Sequence, residues 1–245
     1  MTERMPGTLD QLVEKLKTAL GADLVSVILY GSAAAGDHQG KFSDINVLCV
    51  LNQITPVQLG LTETVFRWWR EQGNPSPLLL TEHEVQTCTD CFAIEFHDIK
   101  QHHRVLFGAD LISGLTVDDS FYRAQVEHEL RSKLLRLRQK AAGVLSDKDV
   151  LRGLLADSVS TFCVLFRHAL ILHGVAAPAK KRETIEAAGQ RFGIETGLFF
   201  RLLDLREGKV KAKDVDPDLV LGGYLTEIGK VIGAVDALEK ESGRS

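Results

Sequence analysis

The chain has 245 residues, of which 44% are hydrophobic and 25% are charged, and its formal net charge is −4. These ordinary values fit a globular chain of one large or two small domains, and they exclude a generally basic protein that coats nucleic acid. No run approaches the roughly 20 apolar residues that span a bilayer and the N-terminus lacks a signal-peptide core, so we expect a cytoplasmic protein with reduced thiols and no membrane segment.

The first part of the chain alternates short strands with helices. Apolar residues at helical spacing predict helices, and β-branched or alternating apolar runs predict strands. The predicted elements are helices at 9–20 and 57–72 and strands at 24–30, 45–51, 78–80 and 92–97. We therefore predict an α+β domain over residues 1–115.

After residue 115 nearly every segment has helical periodicity. The predicted helices lie at 120–143, 147–174, from Pro178 onward, 195–207 and 216–241. Short connections between successive helices are typical of an up-and-down bundle. We therefore predict a second, all-α domain over residues 116–245.

Two short motifs carry most of the functional information. The first is the strand end Tyr30-Gly31-Ser32, and the second, after eleven intervening residues, is Asp44-Ile45-Asn46. This pattern resembles the nucleotidyltransferase superfamily of polymerase-beta type, in which a strand, Gly-Ser and a similar spacer precede Asp-x-Asp or Asp-x-Glu. With Ser43 included, the second motif also resembles the Ser-Asp-Ile-Asp of aminoglycoside nucleotidyltransferases.

The resemblance covers roughly residues 20 to 110. The helical remainder is similar to the bundle that follows such domains in those enzymes and in HEPN-type proteins. The resemblance therefore implies an α+β fold: a nucleotidyltransferase-like mixed sheet with flanking helices, followed by an all-α helical bundle.

The resemblance also implies a role for each motif residue. Gly31 would let the backbone approach a phosphate, and Ser32 would donate to the phosphates of a nucleoside triphosphate. Asp44 would bind Mg²⁺, with Asn46 as a weaker ligand two residues later on the same face of the strand. The implied reaction transfers a nucleoside monophosphate from an NTP–Mg²⁺ complex to the hydroxyl of an unidentified acceptor, either a small molecule or a protein.

The sequence departs from the family pattern in its acidic residues. Position 46 is a neutral Asn, and the predicted strand at 78–80 carries no third carboxylate. Glu82 lies just beyond that strand, and Glu95 and Asp98 lie on or next to the strand predicted at 92–97. Two functions stay open: a nucleotidyltransferase of weakened activity, and a catalytically degenerate protein that binds a nucleotide or a partner.

Three further patterns have both a structural and a functional interpretation. Arg167 and His173 resemble the motif of HEPN ribonucleases, which implies an RNA-directed protein as a third function, although their spacing puts them about 120° apart on a helix.

Cys88 and Cys91 form a CxxC, but the sequence has no second cysteine pair to complete the four ligands of a zinc site. His83, His97, His102 and His103 lie nearby, so a mixed Cys/His metal site stays open beside the interpretation as plain thiols. The segment 123–140 holds six basic and two acidic residues. It lacks interleaved aromatic residues, so nucleic acid is not the favoured partner.

Overall fold

The computed structural model describes residues 4–34, 45–176, 178 and 180–242. The chain folds as two compact units, Met1–Phe121 and Tyr122–Ser245. The first unit is built on a β-sheet and the second is helical.

The first unit is a four-stranded mixed sheet with helices on both faces. Its strands are β1 (Leu24–Tyr30), β2 (Asn46–Leu51), β3 (Leu78–Thr81) and β4 (His103–Gly108). Its helices are α1 (Arg4–Leu20), α2 (Pro56–Glu71), α3 (Glu82–Thr87) and α4 (Ala93–Gln101). The strand order is β3-β2-β1-β4. β1 runs antiparallel to β2 and to β4, whereas β2 and β3 are parallel.

The central strand β1 ends where its two neighbours begin. Tyr30, the last residue of β1, pairs with Asn46 of β2 on one side and with His103 of β4 on the other. β3 starts further along the sheet, because its first residue, Leu78, pairs with Leu48. One edge of the sheet therefore brings together the end of β1 and the starts of β2 and β4.

Alternation of side chains along the strands divides the core into two apolar layers. The first layer joins the sheet to α1 and α2 and includes Leu12, Val27, Val47 and Trp69. The second layer joins the sheet to α3 and α4 and includes Ile28, Leu48, Phe96 and Ile99. Each fully buried large side chain contributes about 1.5–3 kcal/mol, so these layers fix the helices on the sheet. Side chains two residues apart on a strand point to the same face of the sheet. Tyr30 lies two residues after Ile28, and Asn46 two residues before Leu48, so both point to the face that α3 and α4 cover.

The strand predicted at 92–97 is wrong. This segment begins helix α4, whose buried residues Ala93, Phe96 and Ile99 are three positions apart, as on a helical face. A six-residue window cannot separate that spacing from strand alternation. The missed strand is β4, which ends at Gly108 with φ +79°. A Cβ there would lie 1.9 Å from the Val25 carbonyl oxygen, so only glycine fits.

The second unit is helical in the part of it that the structure describes. Its α-helices are α5 (Tyr122–Ala142), α6 (Lys148–Leu172), α7 (Lys181–Phe192), α8 (Gly197–Arg206) and α9 (Pro217–Ser242). α6 packs against the other four, and an aromatic cluster forms their core: Phe162, Phe166, Phe199 and Tyr224. α7 begins at Lys181, three residues after Pro178, where the sequence predicted its start.

By length and composition α6 could cross a membrane. In the folded unit, however, 56% of its most apolar window is buried inside the protein. Phe162 and Phe166, for example, pack in the aromatic core. A helix that is apolar on most sides is also typical of the centre of a bundle.

Candidate functional site

The edge where β1 ends carries the first motif. Gly31 has φ +75°, a left-handed conformation that glycine adopts without steric cost. Its N–H donates to the His102 carbonyl at 3.0 Å, and its own carbonyl accepts from the Ala34 N–H at 3.0 Å. These bonds hold the short 3-10 turn Gly31–Ala33 directly after the strand. Ser32 lies in this turn, and the role of its hydroxyl stays a prediction.

The second motif meets the first at the same edge. An added Cβ on Gly31 would lie 3.4 Å from Nδ2 of Asn46, so the Asn46 side chain lies next to the position that a side chain at residue 31 would occupy. The β1–β2 register explains this contact, since Asn46 pairs with the residue just before Gly31. Asp44 lies outside the described residues, so its role as a metal ligand stays a prediction.

Acidic residues of α4 add negative charge at this edge. α4 packs against the Gly31–Ala33 turn. Burial, and then the charges of Asp98 and Glu95, raise the pKa of Tyr30 to about 12. Tyr30 is therefore a neutral phenol at physiological pH, with two carboxylates close enough to act on it. The sequence analysis identified both acids but placed them on or next to a predicted strand. In a helix, residues three apart lie on one side, so the spacing of Glu95 and Asp98 puts them together only once the segment is helical.

The other candidate acid, Glu82, lies at the opposite end of the sheet. Thr81, the residue before it, pairs with Leu51 at the end of β2, whereas Asn46 begins β2. Leu51 lies five residues after Asn46 along β2, which is about 17 Å at 3.3 Å per residue. β3 itself offers only leucines and a threonine. Neither Glu82 nor β3 therefore supplies a carboxylate beside Asn46.

The residue types around the end of β1 are of the kind that a hard cation prefers. Mg²⁺ prefers carboxylate and carbonyl oxygens; α4 carries the carboxylates of Asp98 and Glu95, and β2 begins with the amide of Asn46. Within the described ranges, no group of three or more His, Cys, Asp or Glu side chains is placed to hold a metal ion. The same finding means that, among those residues, Cys88 and Cys91 do not join the nearby histidines in such a group.

The HEPN-like pair lies on and just after α6. Arg167 belongs to the helix, whereas His173 follows its last residue, Leu172. Nη2 of Arg191 lies 3.0 Å from Nδ1 of His173, and the His173 ring packs edge-on against Phe192. A ribonuclease role for the pair stays a prediction. The histidine that sequence reasoning passed over is the fully buried His168, whose Nδ1 lies 2.7 Å from the Tyr122 hydroxyl.

Several basic residues of the second unit are paired with its own carboxylates. Arg123 and Arg131 both contact Glu127 at 2.7 Å. Arg182, at the start of α7, contacts Asp204 at 2.7 Å and Glu207 at 2.8 Å. Such pairs neutralise part of the basic character that the sequence shows in these helices.

Comparison with solved structures finds a protein of similar architecture. The match is a crystal structure of spectinomycin adenyltransferase AAD(9) from Enterococcus faecialis with ATP and spectinomycin. The alignment covers 94% of this chain and 99% of that chain, with a TM-score of 0.61 and 12% sequence identity. No protein-family model matches the chain, and no curated protein matches it. The likeness confirms the predicted α+β nucleotidyltransferase-like fold.

Proposed function

We propose that the protein is a nucleotidyltransferase that binds a nucleoside triphosphate at the Gly31 edge of the sheet. The observation that carries the proposal is the placement of the left-handed Gly31 next to Asn46 at the end of β1. The absence of a side chain at position 31 lets a phosphate approach the backbone closely. The fold shared with an ATP-bound adenyltransferase supports the same assignment.

The proposed reaction is an in-line substitution at the α-phosphorus. The oxygen of an acceptor hydroxyl forms a bond to the α-phosphorus, the bond to the bridging oxygen breaks, pyrophosphate leaves, and the hydroxyl proton passes to solvent or a base. A bound Mg²⁺ would supply neutralising charge for the phosphates. Gly31 and Ser32 would bind the phosphates, Asp44 would hold the cation, and Asn46 would contribute its amide oxygen. The reaction is expected in the cytoplasm.

Nucleotide binding is tested by thermal unfolding with ATP, GTP, CTP and UTP, each with and without Mg²⁺. A ligand that binds only the folded state stabilises it by about 2.7 kcal/mol at a concentration of 100 Kd. We expect a Mg²⁺-dependent rise of the unfolding midpoint that is lost in Asp44→Ala. No shift with any of the four nucleotides would refute the proposal.

The acceptor is tested by transfer of label from nucleotides labelled at the α-phosphate. The structural neighbour was solved with spectinomycin, so this compound is the first small-molecule acceptor to try. Aminoglycosides and the protein itself complete the panel, because the hydroxyl of a small molecule or of a protein side chain would serve. Label on one acceptor, absent with Asp44→Ala, identifies the acceptor class.

The missing carboxylates favour a second function: a protein that binds the nucleotide without transferring it. Position 46 is neutral and β3 carries no acid. This function predicts a Mg²⁺-dependent thermal shift together with no label transfer to any acceptor. The ribonuclease-like function makes a different prediction, namely RNA cleavage that is lost in His173→Ala and unchanged in Asp44→Ala.

A further inference from the structure

The proposed nucleotide site needs negative charge that its strands do not provide. Asn46 is neutral, β3 has no acid, and Glu82 lies about 17 Å along the sheet from the level of Asn46. A triphosphate and its cation are held most firmly when protein carboxylates share the cation. Apart from Asp44, which lies outside the described residues, a further carboxylate at this edge has to come from an element other than β2 and β3.

Helix α4 is placed to do so. Phe96 and Ile99 are buried in the apolar layer on the face of the sheet that also carries Asn46. The same helix packs against the Gly31–Ala33 turn. These contacts fix both the rotation of α4 and its position along the strands.

Two acids of α4 lie at the edge as a result. Glu95 and Asp98 are three residues apart, so they lie on one side of the helix, next to the buried Phe96 and Ile99. After burial, the charges of Asp98 and then Glu95 contribute to the raised pKa of Tyr30, which agrees with this placement. Asp98 is half-buried and Glu95 is exposed. The His102 N–H donates to the Asp98 carbonyl at 3.3 Å, and the His102 carbonyl accepts from the Gly31 N–H at 3.0 Å, so Asp98 lies one helical turn from the residue that holds Gly31.

We propose that Asp98 supplies the carboxylate that position 46 lacks and binds the cation of the nucleotide together with the Asn46 amide oxygen. Glu95 lies at the rim and adds a weaker, solvent-screened attraction. The second acid of the site, in addition to Asp44, then comes from a helix packed on the sheet and not from a strand. This inference rests on the proposed function, because it assigns a residue of the same nucleotide site.

The test is the affinity for ATP, measured by titration calorimetry with Mg²⁺ and, separately, with EDTA. With Mg²⁺, Asp98→Asn is expected to raise the Kd at least about tenfold, because a ligand to the cation is lost. With EDTA, the same variant is expected to bind ATP equally well or more tightly, because a carboxylate no longer repels the triphosphate. A general loss of structure would weaken binding in both conditions.

Glu82→Gln is the matched control, since it removes an acid of the same unit at the other end of the sheet. It should leave both affinities unchanged. The double variant Asn46→Asp/Asp98→Asn moves the charge from the helix to the strand, and it should recover most of the Mg²⁺-dependent affinity.

The outcomes separate the two proposals. If the wild-type protein binds no nucleotide in either condition, the proposed function fails and this inference fails with it. If the wild-type protein binds Mg²⁺–ATP and Asp98→Asn binds it equally well, the site is real but Asp98 has no part in it. Weaker binding of Asp98→Asn in EDTA as well as in Mg²⁺ would also overturn the inference, because Asp98 would then act through the fold.

Discussion

Replacing Gly31 by alanine separates the conformational role of this residue from its role in binding. The variant adds a single methyl group at φ +75°, 3.4 Å from the Asn46 amide nitrogen. Gly21 is a matched control, because its φ is +53° and an added Cβ would meet nothing within 4 Å. Gly108 is the opposite control, because its added Cβ would lie 1.9 Å from the Val25 carbonyl oxygen.

The expected cost in stability follows from the backbone. A left-handed conformation costs a non-glycine residue about 1–2 kcal/mol. The smaller conformational freedom of the unfolded alanine chain offsets about 0.4–1 kcal/mol of this. Gly21→Ala and Gly31→Ala should therefore each destabilise the protein by about 1 kcal/mol, since a contact at 3.4 Å adds no overlap. Gly108→Ala should cost far more, because the β1 and β4 backbones must move apart.

The assay is thermal unfolding of the three variants with and without Mg²⁺–ATP. About 1 kcal/mol corresponds to a fall of roughly 2–4 °C in the midpoint for a chain of this size. Without nucleotide, Gly21→Ala and Gly31→Ala should unfold within about 2 °C of each other. With nucleotide, only Gly31→Ala should lose most of the wild-type shift. A full nucleotide shift in Gly31→Ala would show that no phosphate lies against this backbone.

Three further outcomes follow from the packing. Cys88 and Cys91 are accessible to solvent, whereas Cys49 and Cys163 are buried. A thiol reagent should therefore label two of the four cysteines in the folded protein and all four after unfolding. Hydrogen bonds from the Ser113 hydroxyl and from backbone N–H groups lower the pKa of Asp110 from 3.8 to about 2. The resulting stabilisation is present above about pH 4 and is lost as the pH falls toward about 2. The unfolding curves of Asp110→Asn and the wild type should therefore converge over this range. Phe166→Ala should cost about 3–5 kcal/mol in denaturant unfolding, whereas Leu135→Ala, at a position 57% exposed, should change stability by about 0.5 kcal/mol or less.

The sequence predicted the centre of the sheet well. The β-branched run at 24–30 and the apolar run at 45–51 correspond to β1 and β2, because strands buried on both faces consist almost entirely of apolar residues. The strand β4 was missed because it is an edge strand of mixed character, His103–Gly108, paired only with β1. The helix α4 was mistaken for a strand because its first residues satisfy both periodicities.

The candidate site was predictable only where it lies close together in sequence. The Gly31 turn and the β2 start at Asn46 follow from one motif, and their contact follows from hairpin-like pairing of two neighbouring strands. The position of Asp98 follows from long-range packing instead. It depends on β4 pairing with β1 and on Phe96 and Ile99 reaching the same apolar layer as Leu48. No local pattern contains that information.

The neutral residue at position 46 has a consequence for the protein without ligand. A carboxylate at this position would lie at the edge where Asp98 and Glu95 already act on Tyr30, and like charges repel unless a cation is bound. Asn46→Asp should therefore lower the unfolding midpoint in EDTA, and Mg²⁺ alone should raise the midpoint of the variant more than that of the wild type. When Asp98→Asn is combined with each protein, the repulsion is smaller. Both differences between Asn46→Asp and the wild type, in EDTA and with Mg²⁺, are then expected to shrink. If Mg²⁺ alone shifted Asn46→Asp and the wild type equally, the carboxylates of α4 would be too far from position 46 to share a cation with it.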